Sequence, residues 1–272
     1  MYFDNSPPAW SVLMKLRVDG VDLELSGFDA DELRDVVRPL GTAVDERLRR
    51  TPVKARLRLG ICGPPGAGKT IFAMRLVDWL RGEGIVDGGG AVHLPLDGYH
   101  LRNDTLDRLL CDGDGYPEMS GQPLRRIKGA PETFEIVRFL DDLTACADRT
   151  VALSLPAYCR ETHEPREHRI KVGTAVNLVV AEGNYLLLDA ANWCRVRGQL
   201  DLCVYLDVPE SQCRANLLAR HRRGGRPEQD ALRHINAVDA INIGCVSGSA
   251  RLADVIVRAE ANHLASIEFN QS

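Results

Sequence analysis

A short apolar run, Leu57 to Cys62, passes directly into Gly63-Pro64-Pro65-Gly66-Ala67-Gly68-Lys69-Thr70-Ile71, and apolar residues then recur at Phe72, Leu76 and Leu80. This strand, glycine-rich turn and helix constrain the fold more than any other feature of the chain. Glycines let the backbone turn tightly and approach a ligand without a Cβ in the way. Successive N–H groups and the N-terminus of the following helix then face an anion. The string fits G-x4-G-K-[ST], so Gly63 to Ile71 are expected to cradle the phosphates of ATP. Lys69 is expected to reach the β- and γ-oxygens, and the Thr70 hydroxyl to ligate Mg²⁺. The pattern alone does not separate a kinase from a GTPase or an ATP-driven machine.

Beyond Arg56 the chain alternates short apolar runs with longer amphipathic stretches. Strands are predicted at Leu57 to Cys62, Ala91 to Leu96, Val151 to Leu155, Val176 to Ala181, Leu202 to Leu206 and Asp254 to Val257. Helices are predicted at Lys69 to Arg81, Pro131 to Cys146, Ser211 to Arg220 and Pro227 to Ala237, with Pro131 and Pro227 in first turns. Continuous apolar runs suit strands buried on both faces. The order predicts an α/β fold of three layers, a mostly parallel, doubly wound sheet between helices. Residues 1–52 stand apart as a packing or dimerisation appendage to a domain over 53–272. There Val12 to Val18 and Val21 to Leu25 flank Asp19-Gly20, a hairpin signature. Asp29 or Asp31 can cap the helix that follows, and Pro39 is placed to kink it.

Two strands end in carboxylates. Asp97 closes one in Asp97-Gly98-Tyr99-His100, and Glu182 closes another in Glu182-Gly183-Asn184-Tyr185. On a strand beside the P-loop strand, Asp97 opens onto the ligand crevice and can accept the proton of an attacking hydroxyl. An Asx turn with Gly98 explains it equally well. Glu182 serves either Mg²⁺ and its waters or a simple turn. His100 alone suits a satisfied polar group, and Tyr99 suits packing. Arg214, Arg220, His221, Arg222, Arg223 and Arg226 crowd a helix end before Gly224-Gly225. They read either as a solvated basic terminus or as a lid over about 214–230 whose arginines close on the phosphates.

Together these strings, with Lys128-Gly129-Ala130-Pro131-Glu132-Thr133-Phe134 and Pro156-Ala157-Tyr158-Cys159-Arg160, resemble bacterial P-loop kinases grouped with uridine kinase, phosphoribulokinase and type I pantothenate kinase. The Lys128-to-Phe134 string points to a branch described as nucleoside kinase-like or fructose-transport kinase-like. The resemblance covers nearly the whole chain. It implies that Asp97 is the general base, that Lys69 and Arg220 act on the phosphates, and that Thr70 holds Mg²⁺. It places Tyr158, Arg160 and Asn242 beside the acceptor, in a mixed pocket with Tyr99 and His100. It also makes a homodimer common company. Two departures stand out: Cys159 replaces the aspartate of the usual Tyr-Asp-Arg, and the insert from Cys111 to Gly121 is long.

Bulk properties exclude other classes. With Lys+Arg 34 against Asp+Glu 38, no cationic excess exists to neutralise a nucleic acid. No apolar run approaches the ~20 residues of a membrane span, and no signal-peptide pattern opens the chain. The eight cysteines lie singly without a CxxC pair, as expected of reduced, mostly buried residues in the cytoplasm and not of a structural zinc site. A GTPase is disfavoured because no N-K-x-D string occurs. The expectation is an ATP-dependent kinase of a small hydroxyl compound, and its rival is a regulatory P-loop NTPase without such an acceptor.

Overall fold

The computed structural model describes residues 14–18, 21–25, 28–87, 89–260 and 263–270. Strands β1 (Met14–Val18) and β2 (Val21–Leu25) pair antiparallel, with Val18 opposite Val21. The Asp19-Gly20 turn lies outside the described residues. Asp29 caps α1 (Ala30–Glu32) by accepting from the Asp31 and Glu32 N–H groups, while Glu32 accepts from the Asp29 N–H. This capping box satisfies donors that a helix end leaves open. A π-turn at Leu33–Val37 leads into α2 (Arg38–Arg50), where Pro39 occupies the first turn.

The central sheet contains β3 (Leu57–Cys62), β4 (Ala91–Pro95), β7 (Leu178–Gly183), β8 (Leu202–Asp207), β9 (Val255–Glu260) and β10 (His263–Phe269). Their order is β10-β9-β8-β3-β7-β4, parallel except for β10 against β9. Because strand side chains alternate, β7 sends Leu178 and Val180 to one face and Val179 and Ala181 to the other. The first face is covered by α2 and α3 (Lys69–Gly82), the second by α5 (Ile136–Ala145) and α6 (Cys194–Arg197); α4 (Asn103–Arg108) lies outside these two cores. The expected three-layer α/β fold is therefore present. From Phe28 onward, the N-terminal helix shares the main core: Val36, Val37, Leu40 and Val44 are fully buried. A Cβ on Gly41 would lie 2.2 Å from the Trp79 ring, so the two helices meet there almost backbone to ring.

Three sequence expectations are corrected. Val151 to Leu155 does not join the central sheet; β5 (Leu153–Cys159) pairs with β6 (Glu164–Val172) in a separate hairpin. Pro156 has no N–H for a ladder, and the register shifts between Leu155 and Ala157. The helix expected from Pro131 starts only at Ile136, after a single 3₁₀ turn. Pro227 stands before α8 (Glu228–His234), not inside it. The helix α7 (Glu210–Arg223) precedes it, and a π-turn at Ile235–Asp239 joins α8 to α9 (Ala240–Ser247).

At the opposite end of the sheet from the glycine-rich turn, Arg56 is only 2% exposed. Its guanidinium donates to the carbonyls of Cys146, Asp148, Val151, Gly173 and Val176. One planar cation thus satisfies buried acceptors from the end of α5 and both roots of the β5–β6 hairpin. Among the described residues, no helix is long and apolar enough to cross a membrane.

Candidate active site

The carboxyl ends of β3, β7 and β4 converge on one crevice. The Asp97 strand was expected beside β3, but β7 lies between them, so Glu182 is the closer carboxylate to the P-loop. Glu182 sits within β7, in register with Ile61 and Pro95. Its side chain accepts from the Thr70 hydroxyl at 3.0 Å.

The P-loop is tightly enclosed. Gly66 has φ +84°, and a Cβ there would lie 2.4 Å from the Cys213 carbonyl of α7. Asn216 of α7 also donates to the Gly66 carbonyl at 2.9 Å. Helix α7, expected to open the lid, is therefore anchored on the loop itself, a link that sequence reading missed. Lys69 is buried, and its Nζ donates to the Pro64 carbonyl at 2.9 Å. Burial pushes its ammonium pKa down, while Glu182 opposes that shift. A buried cation against a neutral carbonyl, beside a glycine-rich loop that opens a helix, fits the anionic phosphates of a nucleotide. The Thr70–Glu182 oxygen pair fits a hard divalent ion.

Asp97 is the second residue of the 3₁₀ turn Leu96–Tyr99 after β4. Arg160, reaching across from the β5–β6 hairpin, donates to its carboxylate at 2.6 Å, and His100 Nε2 lies 3.9 Å away. Burial would raise this carboxyl, but Arg160, His100 and Arg220 outweigh it and hold it at about 2. Gly98 makes the approach possible: a Cβ there would lie 2.7 Å from the Pro156 carbonyl. His100 stacks on Phe134 with ring centroids 4.0 Å apart, and its Nδ1 meets the Thr133 carbonyl. Burial, partly offset by Asp97, pushes its imidazole down to about 4.

Not every expected residue faces the crevice. Tyr99 is fully buried against Phe139 and donates to Asp142 at 3.0 Å, so it belongs to the core. Asn242 is 2% exposed and accepts from the Tyr116 hydroxyl, which comes from the long insert. Tyr158 lies beside His100 and beneath the Arg160 guanidinium, 4.8 Å from ring to carbon. Arg220 is exposed in the last turn of α7, close enough for its charge to act on both Asp97 and Lys69. Ten of the residues expected in the lid, 214–223, are regular helix, and only residues 224–227 form the turn.

Two polar groups at the site were not singled out from sequence. His93, on β4, places Nε2 3.4 Å from Glu182. Lys128 donates to the Asn103 side chain and the His163 carbonyl, and its Nζ lies 5.2 Å over the Tyr158 ring. Burial, and then Arg125, lower its pKa to about 8. Lys128 was at least visible in the Lys128-to-Phe134 string; His93 carried no signal of its own.

This geometry agrees with what the chain is similar to. A structure described as a "putative fructose transport system kinase" from Silicibacter sp. TM1040 superposes with TM-score 0.66 at 27% identity, over 79% of this chain and 95% of that one. The chain has the P-loop kinase fold. No protein-family model matches the chain. An Escherichia coli protein, YggC, described as uncharacterized, is 28% identical over 90% of this chain and 94% of its own length. A "putative uridine kinase" of Schizosaccharomyces pombe is 29% identical over 75% of this chain and 83% of its own.

Proposed function

We propose that this chain is an ATP-dependent phosphotransferase that moves the γ-phosphate to a hydroxyl of a small metabolite. The observation that carries the reading is the meeting of three elements at one crevice: buried Lys69, the Thr70–Glu182 pair, and Asp97 facing the β5–β6 hairpin. The names of the similar proteins, a fructose transport system kinase and a uridine kinase, support a small hydroxyl compound as acceptor. Sugars, polyols, nucleosides and pantothenate are all compatible with a pocket of Tyr158, Arg160, His100 and Lys128.

In this reading Gly63 to Ile71 hold the ATP phosphates, and Lys69 supplies the counter-charge they lack elsewhere. Thr70 and Glu182 hold Mg²⁺, directly or through water, which when bound neutralises phosphate charge. Asp97 accepts the acceptor's proton, and Arg160 sets its position. Arg220, one turn from the P-loop anchor on α7, stabilises charge on the transferring group. Helices α7 and α8 exclude water, whose attack would waste ATP.

The test is ADP release from purified protein with ATP and Mg²⁺, scanned across those acceptors, with product mass read by spectrometry. A compound that raises ADP release and gains a phosphate establishes the reaction. ATP hydrolysis that no hydroxyl compound stimulates, but another protein does, would favour a regulatory NTPase. The loss of an acceptor-side carboxylate at Cys159 is the feature that keeps that rival in view.

A further inference from the structure

The base of the lid carries a cluster that the kinase reading does not use. His221 ends α7, His234 ends α8, and Asp239 closes the π-turn after it. One ligand atom from each lies within 4.8 Å of the other two. His221 Nε2 and Asp239 Oδ2 are already 3.1 Å apart, and the two imidazole rings meet edge to face at 5.3 Å. Around a tetrahedral ion with bonds of 2.0–2.1 Å, neighbouring donors lie roughly 3.3 Å apart. One edge of such a site therefore exists, and the third donor needs to close in by at most about 1.5 Å.

The backbone supports a built arrangement. His234 and Asp239 are five residues apart, a spacing that an ordinary α-helix turns to different sides. The wider π-turn at Ile235–Asp239 brings the fifth residue back toward the first. π-turns cost hydrogen-bond geometry and recur at functional sites. His221 and Asp239 side chains are 15% and 10% exposed, shielded yet reachable.

We infer that His221, His234 and Asp239 form a binding site for a divalent transition-metal ion of the zinc type, separate from the Mg²⁺ of the phosphate site. Two imidazoles and one carboxylate are a donor set that zinc, cobalt and nickel accept and magnesium does not prefer. The ion joins the last turn of α7 to the π-turn before α9. Since Arg220 immediately precedes His221, occupancy fixes the helix end that presents this arginine to the phosphates.

The experiment uses the full chain, reduced and freed of metal, titrated with Co²⁺ as an optical probe and with Zn²⁺ in competition. Expected is one equivalent of Co²⁺ with visible ligand-field bands and no thiolate charge-transfer band. Replacing His234→Ala or Asp239→Asn should weaken binding by at least about tenfold. Zn²⁺ should also raise the thermal midpoint of the wild type and leave that of each variant unmoved. ATP binding by the variants, measured alongside, shows that they are folded. No stoichiometric Co²⁺ in the wild type overturns the proposal. So does a thiolate spectrum, or a ligand-field spectrum that survives both substitutions, since the ion would then sit elsewhere.

Discussion

Arg160 donates to the Asp97 carboxylate at 2.6 Å from a different sheet, so the β5–β6 hairpin holds the candidate base. The guanidinium keeps this carboxyl at about 2 although burial alone would raise it. In Arg160→Gln, the opposing influence of burial is less balanced and the Asp97 pKa climbs. If Asp97 is the base, the acid limb of kcat/KM then moves to higher pH. A pH–rate profile of the variant that overlies the wild type would remove Asp97 from that role.

Asp97→Asn keeps the shape of the side chain and removes the proton acceptor. Transfer should fall about 10²- to 10⁴-fold, the usual contribution of a positioned base. ATP affinity, which depends on the P-loop, should stay within about twofold of wild type. Calorimetry for ATP and product formation for transfer separate the two effects.

Gly98→Ala places a Cβ 2.7 Å from the Pro156 carbonyl, a contact with backbone that no rotamer relieves. The hairpin must shift, and Arg160 moves with it. The expected signature is a lower kcat and a higher acceptor KM, with ATP binding preserved. Equal loss of ATP affinity would show that the hairpin and the P-loop move together.

His100 makes stability depend on pH. Its folded value, about 4, lies below the ordinary 6.5, so the unfolded chain takes up the proton first as pH falls. Stability is therefore full above pH 6.5, declines as pH drops from there, and levels off below about 4. At about 1.4 kcal/mol per pKa unit, the loss reaches roughly 3 kcal/mol. In His100→Phe this part of the slope should vanish, as read by urea unfolding at several pH values.

Much of this was legible in the residues. Gly63 to Thr70 following an apolar strand determined the local fold, because tight turning and close ligand approach leave few alternatives to glycine. Asp97 and Glu182 were recognisable as strand-end acids. Their order across the sheet was not, since sequence order says nothing about β7 inserting between β3 and β4. The β5–β6 hairpin was missed because β6 carries Glu164, Arg166, Glu167, His168, Arg169 and Lys171, a polar run without the signature of a buried strand. Tyr99 read from its residues as packing, and only the resemblance drew it into the pocket; the 3₁₀ turn after β4 turns it into the core. The lid cluster was invisible for a similar reason: His221, His234 and Asp239 meet only through a helical turn-back and a π-turn.

Arg56 bonds to carbonyls at both roots of the β5–β6 hairpin, far from Tyr158 and Arg160. The ends of the hairpin are thus fixed by a side chain that belongs to neither strand. Residues between those ends can be exchanged without altering where the hairpin leaves and rejoins the core. On the proposed function, substitutions at the hairpin tip would therefore change the contacts offered to an acceptor and, through Arg160, the setting of Asp97, while the hairpin's junctions with the core stay where Arg56 holds them.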